Sequence, residues 1–219
     1  MTAQRLVRQA TGSSAIGAAI AATVAGPLYF MYSGNPPTWN VLTRSLLNLV
    51  AVGLLIVFVT GLRSILHDAD PTYEWTASLV FGTGLVYATI GLVKTSLEVG
   101  VVLGTRSGTF DPTTDGPLAH ANVLMHGSVT RLMTALLLSA AGYAILRTDA
   151  LPRWAGQSAY LLAVVNLAFV PSLYFGIDPS RFYSALGWGN TALTAGLFTY
   201  WSAAVGIAAM AGAPKRSHA

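Results

Sequence analysis

Six long apolar stretches alternate with short polar turns along this chain, and they restrict the folds that it can adopt. About 20 helical residues cross the roughly 30 Å hydrocarbon core of a bilayer. Each stretch has that length, and we predict their boundaries at 14–33, 40–62, 75–103, 119–146, 155–176 and 184–210. The pattern therefore predicts an all-α, polytopic membrane protein with six transmembrane helices, folded as a single bundle over residues 1–219.

Composition excludes the other fold classes. Charged residues make up 9% of the 219, against about 25% in a typical soluble domain, and the mean hydropathy is +0.58. Continuously apolar runs such as 46–60 do not fit a β-barrel, whose strands alternate polar and apolar residues. The chain has no cysteine, which excludes disulfides, thiolate metal ligands and cysteine nucleophiles.

The basic residues predict how the bundle is oriented. With the N-terminus in the cytoplasm, seven fall on the cytoplasmic side: Arg5, Arg8, Arg63, Arg147, Arg153, Lys215 and Arg216. Three fall on the outer side: Arg44, Arg106 and Arg181. The excess predicts cytoplasmic N- and C-termini in a multi-pass protein of the cell membrane. It also explains the basic isoelectric point without a nucleic-acid partner, so membrane lipids are the expected surroundings.

The first apolar stretch follows two arginines, as the apolar region of a signal peptide does. It is longer than that region usually is, and we therefore expect a retained first helix.

The outer turns indicate three related helical hairpins. Each turn has an Asn-Pro or Asp-Pro step followed by a hydroxyl residue, at 35–38, 111–114 and 178–180. Another asparagine follows 11 to 13 positions after the Asn or Asp of that step, at Asn48, Asn122 and Asn190. A repeat would place the three amides at similar depth, where they can hydrogen-bond between helices. The alternative is coincidence, because Asn-Pro and Asp-Pro begin turns in unrelated proteins.

Charged side chains within the apolar stretches are the first candidates for a functional site. Lys94 and Glu98 lie four residues apart on one face of the third helix, where they can pair. Charges inside a bilayer usually face a partner or a cavity. The alternative for Lys94 is that its side chain reaches the outer headgroups.

Arg131 is the second such charge. Fifteen residues separate it from Arg147, about 22 Å of helix, so one of the two must reach into the membrane. A tilted helix with a purely structural arginine is the alternative.

Together these residues predict a polar pocket that opens outward. Glu98 is its expected acid or base and His126 a second proton carrier, while Lys94 and Arg131 would stabilise an anion. His120 shares a helix face with Arg131. The remaining predicted substrate contacts are Asn122, Asn190 and the aromatic ring of Tyr87, which could stabilise a cation.

No metal, haem or other cofactor is predicted. His120 and His126 point to different faces of one helix, and His67 and His218 are expected on the opposite side of the membrane. On that side, Asp68 and Asp70 form an Asp-x-Asp pair that could hold Mg²⁺ against a diphosphate. An ordinary solvated turn before Pro71 explains the same residues.

Residues 146–154, which end in Leu-Pro-Arg-Trp, resemble the turn between the fourth and fifth helices of a broad family of six-helix bacterial membrane proteins. The resemblance covers about the last hundred residues and the overall topology, and it implies a fold but no activity. The size of the chain and its intramembrane acid are also similar to those of integral-membrane terpene cyclases. The Trp-Glu pair of the fungal cyclases is absent, since Glu74-Trp75 has the reverse order.

These features support three hypotheses for the function. The first is an acid/base cyclase or isomerase that acts on a lipophilic, terpenoid-like substrate, with Glu98 or the Asp68/Asp70 pair as proton donor. The second is a small-solute or proton-coupled transporter, although Pro27 and Pro171 lie near helix ends and continuous helices are expected. Six spans would require oligomerisation to frame a pathway. The third is a non-catalytic accessory or sensing subunit.

Overall fold

In the computed structural model, the described part of the chain contains six helices that are long and apolar enough to cross a membrane. The structure describes residues 2–32, 34–105, 109–116 and 118–212, without the side chain of His126. We label the helices α1 (Ala3–Leu28), α2 (Thr38–Ala69), α3 (Pro71–Gly104), α4 (Ala119–Thr148), α5 (Arg153–Phe175) and α6 (Gly189–Ala211). This confirms the all-α prediction and the number of membrane-length helices. Of the basic residues used to predict the orientation, Arg106, Lys215 and Arg216 lie outside the described residues.

The helices do not end where the apolar stretches end. The first begins at Ala3 rather than at 14, and the second continues to Ala69 rather than to 62. Helical hydrogen bonding continues through the charged turns that flank the apolar segments, because polar side chains there are solvated without breaking the helix. The sixth begins at Gly189 rather than at 184 because residues 176–188 form tight turns, including a bond from the amide of Gly187 to the carbonyl of Ser184.

The bundle is closed by its first and last helices. α1 packs against both α2 and α6, and the chain then continues through α2–α3, α3–α4 and α4–α5 contacts. Small residues allow α1 and α6 to approach closely, since a Cβ atom on Gly206 would lie 2.6 Å from Cβ of Ala15. This is how small residues act in membrane helix pairs. In the predicted repeat, the three hairpins are α1/α2, α3/α4 and α5/α6. The first two pairs pack more extensively than the third, and the threefold repeat stays a prediction.

Three segments depart from regular α-helix at one end of the bundle. α4 contains a wide π-type turn at Met125–Val129, and Gly127 within it has φ −88° and ψ −115°. α5 ends in a 3-10 segment, Val170–Phe175, and α6 begins with a second wide turn, Gly189–Leu193. The sequence led us to expect continuous helices, whereas α4 is interrupted at a glycine. Such wide turns occur often at functional sites.

Candidate functional site: a buried charged cluster between α1 and α4

Glu98 lies at the centre of a group of buried charges. Its side chain is 1% exposed. The Nζ atom of Lys94, one helical turn earlier on α3, lies 3.0 Å from Oε1, and Nε of Arg44 on α2 lies 3.6 Å from Oε2. One carboxylate is therefore shared by two cations, and the formal charges of the three side chains sum to +1.

Three neutral side chains complete this group. The hydroxyl of Tyr29, next to the end of α1, donates to Oε2 of Glu98 at 3.4 Å and accepts from Nζ of Lys94 at 3.2 Å. It also accepts from Nδ2 of Asn48 at 2.9 Å. Nδ2 of Asn122 on α4 donates to Oε1 of Glu98 at 3.4 Å. We call these six residues the Glu98 cluster: Tyr29, Arg44, Asn48, Lys94, Glu98 and Asn122.

Arg44 is a correction to the sequence analysis, which counted it among the basic residues of the outer side. Its residue is 2% exposed, inside the bundle. The guanidinium carbon lies 4.2 Å from the centroid of the Tyr29 ring, a cation–π distance. Because Arg44 pairs with Glu98 and Tyr29 rather than with headgroups, it gives no information about orientation.

The guanidinium of Arg44 is incompletely hydrogen-bonded. Its Nε and Nη2 atoms are buried, and neither has a hydrogen-bond partner among the residues that the structure describes. Its ion pair with Glu98, at 3.6 Å, is longer than a hydrogen bond. Buried polar groups are nearly always paired, so an unpaired donor requires an explanation.

A small cavity adjoins the cluster. Its volume is about 100 Å³, and its lining is mostly apolar, with Leu97, Val101, Phe110 and Leu118 among the lining residues. Asn122 also lines it, so one side chain connects the cavity to Glu98.

Asp115 is the acidic residue in this lining. Its Oδ2 accepts from the backbone amide of Asp111 at 2.7 Å, and its Oδ1 accepts from the hydroxyl of Thr114 at 3.3 Å. Bonds within its own loop thus hold the carboxylate.

Arg131 lies in a different polar network, between α4, α5 and α6. Its guanidinium donates to the carbonyl of Gly127 at 3.1 Å, to Oδ1 of Asn166 at 3.3 Å, to the hydroxyl of Thr130 at 3.1 Å and to the hydroxyl of Thr194. These acceptors are neutral, and the four bonds use each nitrogen of the guanidinium. The structure thus separates Arg131 from Lys94 and Glu98, with which the sequence analysis had grouped it.

Asn190 belongs to the same network as Arg131. Its Nδ2 atom donates to the hydroxyls of Ser128 at 2.8 Å and Ser172 at 2.9 Å and to the carbonyl of Ala185 at 2.9 Å. The hydroxyl of Thr194, which accepts from Arg131, donates to the backbone carbonyl of Asn190 at 2.7 Å. The network therefore links both wide turns to the end of α5.

Other residues predicted for the pocket lie elsewhere. The ring of Tyr87 is half-buried and packs on Phe198, with 5.3 Å between centroids. His120 is exposed, and the side chain of His126 lies outside the described part of the chain.

The two predicted acids of the opposite turn do not converge on a common point. Asp68 is exposed, and Asp70 accepts from the backbone amide of Thr72 at 2.9 Å, which caps the short helix that begins α3. Glu74 forms the ion pair of this turn, with Arg63, and its Oε2 also lies 2.7 Å from Nδ1 of His67. Within the described ranges no three His, Asp or Glu side chains are placed to hold a metal ion.

Three members of the Glu98 cluster were not predicted for the site: Tyr29, Arg44 and Asn48, the last of which was noted only as an asparagine of the possible repeat. Arg44 lies within the predicted stretch 40–62 and is an intramembrane charge by the criterion that selected Lys94, so a signal was present. Tyr29 carries no comparable signal, because aromatic residues are common at the ends of membrane helices.

No protein-family model, characterised protein or solved structure matches this chain. The resemblance of residues 146–154 to a six-helix bacterial family therefore stays a prediction, and the structure supports only its six membrane-length helices. In that turn, Asp149 ends α4 in the left-handed conformation, with φ 51°, and Pro152 precedes α5.

Proposed function

We propose that this chain is a multi-pass membrane protein that carries a small polar solute across the bilayer, with the Glu98 cluster as its solute site. The observation that supports this most strongly is a group of three buried charges on α2 and α3, with neutral partners next to the end of α1 and on α4. Each such charge costs several kcal/mol in hydrocarbon, and intramembrane charges usually mark a solute or ion pathway.

A purely structural role, as in an accessory subunit, fits the cluster less well. Polar residues that only join helices are expected to satisfy their own hydrogen bonds. The guanidinium of Arg131 does so, with each nitrogen donating to an oxygen, although Oδ1 of Asn190 in the same network has no partner among the described residues. Arg44 leaves two buried nitrogens without a partner in the described residues. The contrast supports a structural role for Arg131 and a binding role for Arg44.

The cyclase or isomerase hypothesis also receives less support. Glu98 would have to donate a proton to a hydrocarbon substrate, but its carboxylate is shared by Lys94 and Arg44. The adjoining cavity of about 100 Å³ is smaller than the roughly 300–1,000 Å³ of sites for drug-sized ligands. A solute of a few heavy atoms fits this volume, and a terpenoid does not.

The irregular segments support transport as well. Broken helices supply backbone groups to solute sites in many transporters. The interruption of α4 at Gly127 lies five residues after Asn122, the residue that connects the cavity to Glu98. In the proposed orientation, with both termini in the cytoplasm, the Glu98 cluster lies in the outer half of the membrane. A complete pathway is proposed to require more than one copy of the six-helix bundle.

The proposal is tested by flux in liposomes. The purified protein is reconstituted, and light scattering in a stopped-flow instrument follows the volume change in gradients of neutral solutes (urea, glycerol) and of potassium acetate or nitrate with valinomycin. We expect protein-dependent entry of at least one solute, and its loss in Glu98→Gln. Asn122→Ala is a milder second variant. Glu74→Gln, on the same helix but in the surface ion pairs, should keep the wild-type rate.

Two results would contradict transport. One is scattering traces identical to those of empty liposomes for every solute, from protein shown to be folded and inserted. The other is flux that neither cluster variant changes.

A further inference from the structure

We propose that the surface between α4 and α5 binds the headgroup of an anionic phospholipid, with Arg147 as the residue that contacts the phosphate. An open cavity of about 500 Å³ lies there, lined by Tyr143, Leu146, Arg147 and Tyr160. Arg147 lies in the last turn of α4, whereas Asn122 of the Glu98 cluster lies in the first. The site is therefore separate from the Glu98 cluster and does not depend on transport.

The cavity exists because α4 and α5 approach each other closely. A Cβ atom on Gly142 would lie 3.0 Å from the carbonyl oxygen of Gly156 and 3.2 Å from Cδ2 of Tyr160. The ring of Tyr160 thus rests on the backbone of α4 and forms one wall. The volume lies within the roughly 300–1,000 Å³ of ligand sites, which is enough for a phosphate group with its glycerol.

Arg147 offers this cavity a cation without an acidic partner. Its side chain is exposed, and within the described residues it forms neither a hydrogen bond nor an ion pair. Its guanidinium carbon lies 5.5 Å from the centroid of the Tyr143 ring, a cation–π distance. Arg153, across the turn, differs because it pairs with Asp149 at 3.6 Å. The donors of Arg147 are therefore available to a ligand.

The chemistry of the lining favours a phosphate. A guanidinium is planar, and its parallel N–H groups match two phosphate oxygens. Tyr143 and Tyr160 line the same cavity, and a phenol hydroxyl can donate a further hydrogen bond. The formal charges of Arg147, Asp149 and Arg153 sum to +1. A headgroup with one net negative charge, such as phosphatidylglycerol, neutralises this turn, whereas the zwitterionic phosphatidylcholine does not.

The place of the cavity in the fold favours a lipid over a soluble phosphate. It lies at the end of two membrane-length helices, and the exposed ring of Trp75 lies 6.4 Å from that of Tyr143 between centroids. Aromatic residues of this kind are enriched at headgroup level. In the proposed orientation this end faces the cytoplasm, where basic pockets between membrane helices bind the headgroups of anionic lipids.

An apolar surface continues from the cavity towards the middle of the bundle. Leu136 lies seven residues before Tyr143, on the same face of α4, and Val164 lies one turn after Tyr160 on α5. Both side chains are exposed. The acyl chains of a lipid whose phosphate contacts Arg147 would lie along these two residues, and a soluble phosphate would leave them uncovered.

Lipid binding is measured by native mass spectrometry of the full chain in a neutral detergent. The protein is titrated with phosphatidylglycerol, with phosphatidylcholine or with soluble glycerol 3-phosphate. We expect saturable binding of phosphatidylglycerol to the wild type. Arg147→Gln should weaken the apparent Kd at least about tenfold, as expected for a lost charged hydrogen bond. Arg147→Lys, which keeps the charge but not the paired donors, should lie between the two and serves alone if Arg147→Gln does not fold.

Arg153→Gln is the matched control. It removes the same charge from the same turn, but Arg153 is paired with Asp149 and does not line the cavity. This variant should bind phosphatidylglycerol as the wild type does. A loss as large as that of Arg147→Gln would assign the binding to the charge of the turn and overturn the site.

Three further results would overturn the inference. One is equal affinity of the wild type and both Arg147 variants for phosphatidylglycerol. Another is equal affinity of the wild type for phosphatidylglycerol and phosphatidylcholine, which would exclude selection for a net negative headgroup. The third is binding of glycerol 3-phosphate as tight as that of the lipid, which would make the ligand a soluble phosphate.

Discussion

The backbone of Gly127 lies directly against the side chain of Asn190. A Cβ atom at position 127 would come within 3.3 Å of Nδ2 of Asn190 and within 2.9 Å of the carbonyl oxygen of Ala185. The interruption of α4 therefore packs on the wide turn that begins α6, and glycine permits this approach.

Replacement of Gly127 by alanine should destabilise the protein by about 1–3 kcal/mol, the usual effect of excess volume in a packed interior. Thermal unfolding in detergent measures the change. Gly82→Ala on α3 is the control, because nothing lies within 4 Å of a Cβ atom there. A Gly127→Ala variant that melts together with Gly82→Ala would contradict the close packing of the two wide turns.

The substitution Asn190→Asp tests the Arg131 network. It replaces the amide nitrogen that contacts the oxygens of Ser128, Ser172 and Ala185 by a carboxylate oxygen, which cannot donate to the carbonyl of Ala185. Leaving buried groups unpaired costs about 1–3 kcal/mol or more, so the melting temperature should fall. Asn48→Asp, at a half-buried position, should have a smaller effect, and the reverse order would argue against this network as a structural element.

The charges of the Glu98 cluster predict an order of destabilisation. Glu98→Gln leaves Arg44 and Lys94 buried without their carboxylate, which should cost about 3–5 kcal/mol. Lys94→Gln leaves Glu98 paired with Arg44 and should cost about 1.5–3 kcal/mol, as for a lost charged hydrogen bond. Chemical or thermal unfolding of both variants in the same detergent gives the comparison. If Lys94→Gln is the less stable variant, the cluster does not carry the excess positive charge inferred for it.

The proposed orientation can be tested without background labelling, because the chain has no cysteine. Five candidate spans lie between Thr2 and Asp178. Single cysteines replacing these two residues are therefore expected on opposite sides of the membrane. In intact cells, a membrane-impermeant maleimide should label the cysteine at 178 and should reach that at 2 only after lysis. Labelling of the cysteine at 2 in intact cells would place the N-terminus outside.

Sequence predicted the helices well because their length is set by the bilayer, and apolar length is visible in the chain. Helix ends were predicted poorly. Ala3 and Ala69 lie in charged flanks where apolar character gives no information, and the interruption at Gly127 depends on a neighbour that is distant in sequence. The approach of Gly127 to Asn190 is a tertiary contact, which no local pattern encodes.

Three members of the candidate site were predicted, Lys94 and Glu98 from their spacing and Asn122 from its position after an Asp-Pro turn. Lys94 and Glu98 were paired correctly because residues four apart share a helix face. The grouping of Arg131 with them rested on its being an intramembrane charge, and charge alone does not reveal which helices are adjacent. Arg44 and Tyr29 contact Glu98 because α1 packs on α2 and α2 packs on α3, which a single sequence does not show.

The burial of Arg44 in α2 has a consequence for how the protein is made. In the proposed membrane protein, α2 is synthesised before Glu98 on α3 exists, so its arginine enters without its counter-ion. The cost is below the value of about 2.5–3.5 kcal/mol for a central position, because Arg44 lies in the second turn of α2. α2 is the most apolar of the six helices, and this surplus of apolar side chains offsets the charge until α3 arrives. The arginine therefore gains its counter-ion only when the third helix packs on the second, so the ion pairs at this end of the bundle form in the order of translation.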